Sequence, residues 1–386
     1  MAKSRDVRRK KDILTEFETT LQVCKKLVSK GYCLRSENLL RAQKERDDYW
    51  TQSLKPYADG KHNDYKWAMK SAKQCAELLA TSICEKFDEE FDHNSIFSIQ
   101  NYNVDGRLDG SKGDLVIKEY DATDPSELIG ERHISLKAYE KDSSIQVCSG
   151  TYISTILCLA FDKVSVGQYT TAQGKKVPRA EAKNIAEISA LFQEDYGQDI
   201  QPLLQDIKAL DKNFKPLVQS RYPGDEAWKK VCQETALAAI PLVIDILTIV
   251  KNKDANAFKE KMLCMCGMDG KDEVVAVAGQ TVYSTLGNAT ARDIVARLNS
   301  SECELYFSKN NQGIRWSFDD SIGTVYFLQM PFTINKNGAW WSKGTVNSAK
   351  NVHDRLAGDP REGKRNEIAS STNMWVNPRQ IFGAAS

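Results

Sequence analysis

Histidine is scarce in this 386-residue chain, which has only His62, His93, His133 and His353. Ten cysteines are present, but none stand in a Cys-x-x-Cys pair, and only Cys264 and Cys266 lie close together. Structural zinc is bound by Cys and His at short spacings, so this composition argues against a zinc domain. A metal site here would be built from oxygen ligands, which suit magnesium or manganese. A phosphate-cradling loop is also missing: Gly224, Gly267 and Gly270 sit in no Gly-x-Gly-x-x-Gly or Walker-type motif. Gly-x-Ser-x-Gly and His-Glu-x-x-His are absent too, which removes two common hydrolase designs. Long apolar runs are lacking. The best candidate, residues 236–250, is broken by Pro241 and Asp245 and falls short of the roughly 20 residues of a spanning helix. No membrane association is therefore expected. The basic start (Lys3, Arg5, Arg8, Arg9, Lys10, Lys11) lacks the apolar core of a secretory signal. With the cysteines read as free thiols in a reducing compartment, a cytoplasmic, intracellular protein is expected. An excess of charge is missing as well. A net charge of +1 neither requires nor excludes nucleic acid, since an enzyme can confine its positive charge to one cleft.

What is present suggests two or three structural units. Residues 5 to about 52 read as charged helix, with Ile13, Phe17, Leu21 and Leu27 at helical spacing and a break at Gly31. The basic cluster at its start either touches phosphates or is a solvated helix end. A second helix over about 63–91 is clearer, because Ala68, Ala72, Ala76, Leu79, Ile83 and Phe87 form one stripe. At 100° per residue Glu90 lies within about 20° of the centre of that stripe, whereas Glu85 and Glu89 fall off it. Glu90 thus either faces the core or is solvated where the helix frays. Strands are expected over 95–101, 114–119 and 131–139, then a helix over 144–161 and a strand over 163–169. Residues 180–267 read as helical, with breaks at Pro202, Pro216 and Pro223-Gly224 and a buried helix bent at Pro241. From 273 short strands return (273–278, 304–308, 314–318, 325–330) around one helix near 289–299.

The stretch from Gly113 to Tyr139 carries the chemistry. It opens Gly113-Asp114-Leu115-Val116-Ile117, continues through a polar connection, and ends His133-Ile134-Ser135-Leu136-Lys137-Ala138-Tyr139. Alternation along a strand places Ile134, Leu136 and Ala138 on one face, suited to a core. His133, Ser135, Lys137 and Tyr139 take the other. On the preceding strand Leu115 and Ile117 face the core and Asp114 faces away. A carboxylate and a lysine at the ends of neighbouring strands can hold a metal ion beside a water nucleophile.

This arrangement resembles the PD-(D/E)XK nuclease superfamily over about residues 62–170. In that family an Asp begins the second core strand, and the next strand carries an acid, any residue, then Lys. Asp114 matches the Asp and Lys137 the Lys, while Ser135 stands where the family usually has Asp or Glu. The resemblance implies an α/β fold with a restriction-endonuclease-like αβββαβ core, large helical additions and a C-terminal α+β region. It further implies a magnesium-dependent DNA endonuclease of the type II restriction-enzyme kind, with manganese as a substitute. Asp114 and the Leu136 carbonyl would bind the metal, and Lys137 would position water or stabilise the transition state. Ser135 offers a hydroxyl but no negative charge, so a second carboxylate is expected: Glu90 first, Glu131 as runner-up. Gln146 resembles a substrate-contacting Gln of some members. A two-fold symmetric DNA site would call for a homodimer.

The organisation expected is an N-terminal helical region (1–61), the nuclease-like core (62–170), a helical domain (171–270) and an α+β region (271–386) for DNA recognition. Arg315, Lys336 and Trp341 are the candidate substrate contacts there, because basic, amide and aromatic groups interleave around them. Trp316 reads instead as core. Two other readings stand beside the nuclease: a catalytically silent nucleic-acid-binding protein of the same fold, and a structural or protein-interaction protein using the helices of 1–91 and 180–267.

Overall fold

The computed structural model describes residues 5–55, 63–101, 113–139, 145–148, 152–161, 168–170, 176–178, 185–219, 225–309, 313–331 and 374–376. The chain divides into two compact units, one of 1–145, 267–298 and 377–386, the other of 146–266 and 299–376.

The first unit is a mixed six-stranded sheet with helices on one face. Its N-terminal helices are α1 (Arg5–Ser29), α2 (Asn38–Tyr49) and α3 (Asn63–Glu90), and a further helix over Ala289–Asn299 belongs to the same unit. Its strands are β1 (Cys33–Leu34), β2 (Ile96–Asn101), β3 (Leu115–Tyr120), β4 (Leu128–Tyr139), β8 (Asp272–Ala278) and β9 (Thr281–Ser284), side by side in that order. Pairing is antiparallel for β2–β3, β3–β4 and β8–β9, and parallel for β1–β2 and β4–β8. The apolar stripe predicted on α3 is buried throughout, from Ala68 to Phe87. Its inner part meets Phe97, Ile99, Leu115, Ile117, Ile134, Leu136, Val275 and Val277, which share one face of the sheet. Leu21, Cys24 and Leu27 of α1 complete this core. Each such side chain contributes about 1.5–3 kcal/mol when fully buried, so this face is secured by apolar burial. Asn38 begins α2 and pins it to β2, donating to the Ile99 carbonyl (2.8 Å) and accepting from its N–H (2.9 Å).

Residues 63–139 match the expected helix and three strands closely. The next elements differ. Residues 145–148 are a strand, β5, and the helix α4 spans only Tyr152–Ala160. In the expected strand 163–169, residues 163–167 lie outside the described residues. The remainder belongs to β6 (Gln168–Thr170), which pairs with β7 (Lys176–Pro178) in a separate two-stranded sheet. The strand beside β4 is β8, more than a hundred residues downstream. Residues 271–298 therefore join the first unit rather than the C-terminal region, as do residues 1–61. Periodicity reports which face of a strand is apolar, but not which sheet the strand enters.

The second unit contains α5 (Ile185–Tyr196), α6 (Gln201–Gln219), α7 (Asp225–Lys253) and α8 (Ala255–Cys266). Its five-stranded sheet runs β10 (Glu304–Lys309), β11 (Gly313–Asp320), β12 (Gly323–Pro331), β13 (Met374–Val376), β5. Pro202 and Pro216 do not break α6. The first sits in the opening turn, where its missing N–H is not needed. Helix α7 likewise runs through Pro241. Trp316 is fully buried, stacked 6.1 Å from Phe258 and edge-on to Phe307 at 4.9 Å, in agreement with its reading as core.

Candidate functional site

The site begins with a close approach of backbone. A Cβ on Gly113 would lie 2.7 Å from the His133 Cβ, closer than real Cβ atoms come, and a tight 3.2 Å from the Ile134 nitrogen. Glycine lets the chain lie flat against β4, and the next N–H, of Asp114, donates to the Ile134 carbonyl at 2.7 Å. Asp114 is thereby set at the start of β3 with its carboxylate over the middle of β4.

Asp114 Oδ2 accepts the Leu136 N–H at 2.7 Å and the Ser135 hydroxyl at 3.4 Å. Lys137 Nζ lies 3.4 Å from the same oxygen and donates to Ser135 Oγ at 2.7 Å and to the Leu136 carbonyl at 3.2 Å. Three of the sequence-predicted residues, Asp114, Ser135 and Lys137, are thus brought together on the sheet face opposite the α1–α3 core. Ser135 is only 3% exposed, while the side chains of Asp114 and Lys137 are 14% and 26% exposed. Val116, Val274 and Ala276, on the flanking strands, are buried. The donor set is a carboxylate, a hydroxyl and a carbonyl, all hard oxygens gathered around one cationic centre. Such a set fits magnesium or manganese in kind. It supplies one carboxylate, and among the described residues no group of three or more His, Cys, Asp or Glu is placed to hold a metal.

Glu90 does not join this site. Of its two expected placements it takes the inward one rather than the solvated one, and its side chain is 9% exposed. That face of the sheet is the opposite one from Asp114. Glu90 Oε2 pairs there with Arg132 of β4 at 3.2 Å and with Arg292 at 2.8 Å, the latter in α9 (Ala289–Asn299). Glu273 of β8 closes the network, 2.9 Å from Arg292 and 3.5 Å from Arg132. The hydrogen bond from Arg292, chiefly, together with both guanidinium charges, holds the Glu90 carboxyl below the usual carboxylate range, against burial. The same partnership raises the Arg292 pKa. The expected metal-binding role of Glu90 beside Asp114 therefore has no support in this geometry. One signal was legible: alternation puts Arg132 on the apolar face with Ile134 and Leu136, and a charge there needs an acid.

Glu131 faces the same side as Lys137, as alternation implied. Its carboxylate is held by Lys118 at 3.2 Å and by His133 Nε2 at 2.7 Å. Burial would raise its pKa, but the His133 and Lys118 contacts outweigh that and lower it. Four residues along a strand separate it from Ser135 by about 13 Å, too far to share a ligand with Asp114.

No protein family, curated protein or solved structure matches this chain. Gln146 falls in β5 rather than in a helix, and its side chain is outside the described residues. Arg315 is exposed on β11. Lys336 and Trp341 lie outside the described residues. No helix among the described residues is long and apolar enough to cross a membrane.

Proposed function

We propose that this protein is a metal-dependent DNA endonuclease, with its centre at Asp114, Ser135 and Lys137. The observation that carries this reading is the convergence of those three side chains across two adjacent strands, from a spacing of 21 residues between Asp114 and Ser135. The helix and three strands that carry the site lie where the resemblance drawn from the sequence expects them, whereas the strand parallel to β4 is β8, outside the span of that resemblance.

Phosphodiester hydrolysis requires charge neutralisation at the phosphoryl oxygens and an activated water, and bound magnesium supplies both. Asp114 and the Leu136 carbonyl would hold that ion, and the Leu136 N–H fixes the orientation of the carboxylate. Lys137 carries the positive charge that would stabilise the transition state. Ser135 is buried and bonded to both, so its role is to orient rather than to attack. It is a poor nucleophile in this setting: Lys137 donates to three oxygens and has no lone pair to accept the Ser135 proton.

The test is incubation with a panel of unmodified DNAs, with magnesium or with EDTA, beside Asp114→Ala and Lys137→Ala proteins. Discrete fragments that require magnesium and vanish in both variants are expected. Cleavage undiminished in both variants would rule the assignment out. Metal-independent DNA binding without cleavage would favour the silent binding protein, a reading to which the single carboxylate lends weight.

A further inference from the structure

The oxygens assigned above to a metal ion at Asp114 are already bonded to a cation that the chain itself provides. Lys137 Nζ lies within 2.7 Å of Ser135 Oγ, 3.2 Å of the Leu136 carbonyl oxygen and 3.4 Å of Asp114 Oδ2. An ammonium has three N–H donors, and these three oxygens take all of them. They include both groups, Asp114 and the Leu136 carbonyl, assigned to the metal.

We propose that the Lys137 ammonium is the resident cation of this pocket, and that a divalent metal binds only when the ammonium is displaced. The inference rests on the reading of Asp114 and Leu136 as metal-holding groups, and adds a regulatory step to it.

Charge supports the competition. Among Asp114, Ser135 and Lys137 the formal charges sum to zero, so the pocket is neutral with lysine in place. A divalent ion drawn to the same oxygens would face an ammonium a few ångströms away with one carboxylate to offset both. An Asp or Glu at position 135 would supply a second negative charge, allowing lysine and metal to be neighbours. Ser135 supplies none, and its hydroxyl instead holds the ammonium at the shortest of the three distances. Departure is feasible because the lysine stem is flexible and its side chain is 26% exposed.

A functional consequence follows. A DNA phosphate brings the negative charge that the pocket lacks and gives the ammonium another partner. Metal and DNA should therefore bind cooperatively, and the free protein should hold metal weakly. Such a device keeps the site inactive until substrate arrives.

The experiment is a titration of the full-length protein with Mn2+ alone, read by the electron paramagnetic resonance of unbound Mn2+. Wild type, Lys137→Met, Lys137→Gln and the double variant Asp114→Asn/Lys137→Met are compared, with circular dichroism to check folding. Both single variants should bind Mn2+ at least about tenfold tighter than wild type, the scale produced by removing one like charge in contact. The double variant should lose that gain. Lys137→Gln retains a donor for Ser135, and so reports on charge even where Lys137→Met fails to fold. Equal or weaker binding in folded single variants, with Mn2+ still lost on changing Asp114, overturns the resident-cation inference and leaves the metal site standing. Mn2+ binding absent from every variant, or indifferent to Asp114, overturns the metal site and the inference together.

Discussion

Arg292 donates to Glu90 across 2.8 Å, joining residues 202 positions apart. Glu90 ends α3 and Arg292 lies in the first turn of α9, capped by Asn288 Oδ1, which accepts the Ala291 N–H at 3.0 Å. The pair therefore fastens the late segment 267–298 to the early helix of the same unit. Gly287, in the left-handed region at φ 63°, adds its backbone N–H to the Glu90 carboxylate.

Removing one partner of this network should cost more than losing a surface pair. Arg292→Met is expected to destabilise the first unit by about 2 kcal/mol, between the ~0–1 of exposed pairs and the ~3–5 of buried ones. The double variant Glu90→Gln/Arg292→Met should cost less than the sum of the singles, because it removes both charges and leaves neither unpaired. Chemical denaturation of wild type, the two single variants and the double variant checks this.

The same contact sets a pH dependence. The Glu90 carboxyl sits below its unfolded value, principally through the Arg292 hydrogen bond. Its contribution is present above the ordinary carboxylate range and lost as pH falls through the lowered, folded-state value. Thermal stability measured through the acid range should fall less steeply in Glu90→Gln than in wild type. An identical acid profile in both proteins would show that Glu90 is not responsible.

Gly113→Ala should damage the Asp114 site without touching its side chains. The new methyl would overlap His133 and the Ile134 backbone, forcing the chain off β4 and breaking the Asp114 N–H to Ile134 bond. A loss of about 1–3 kcal/mol is expected from such overpacking. Mn2+ binding and any DNA cleavage should weaken with it, and an unchanged denaturation curve would count against the close approach.

The core thiols should be chemically silent. Burial pushes the Cys24 thiol up to about 11 and the Cys84 thiol up to about 12, so both stay protonated at neutral pH. The thiolate is the reactive form. A disulfide-exchange reagent should modify exposed Cys33 rapidly, and Cys24 and Cys84 only on unfolding, as mass spectrometry of the labelled peptides would show.

Much of the first unit was legible because its signals are local. Helix α3 announces itself through apolar spacing, and β3 and β4 through alternation that also assigned Asp114, Ser135 and Lys137 to one face. The same angular reasoning left Glu90 either inward or solvated at a frayed helix end, and the structure places it inward. Helix α6 was harder: prolines read as breaks are tolerated within it.

The sequence by itself determined that Asp114, Ser135 and Lys137 would each turn away from the apolar face of its strand, because side-chain period is a property of short segments. Only the tertiary structure decided that β8, rather than residues 163–169, lies beside β4, and that Glu90 pairs with Arg132 and Arg292. Strand partners and ion pairs are set by which distant surfaces bury each other, and the charge of Glu90 is satisfied by a guanidinium 202 residues away. No window of sequence contains both.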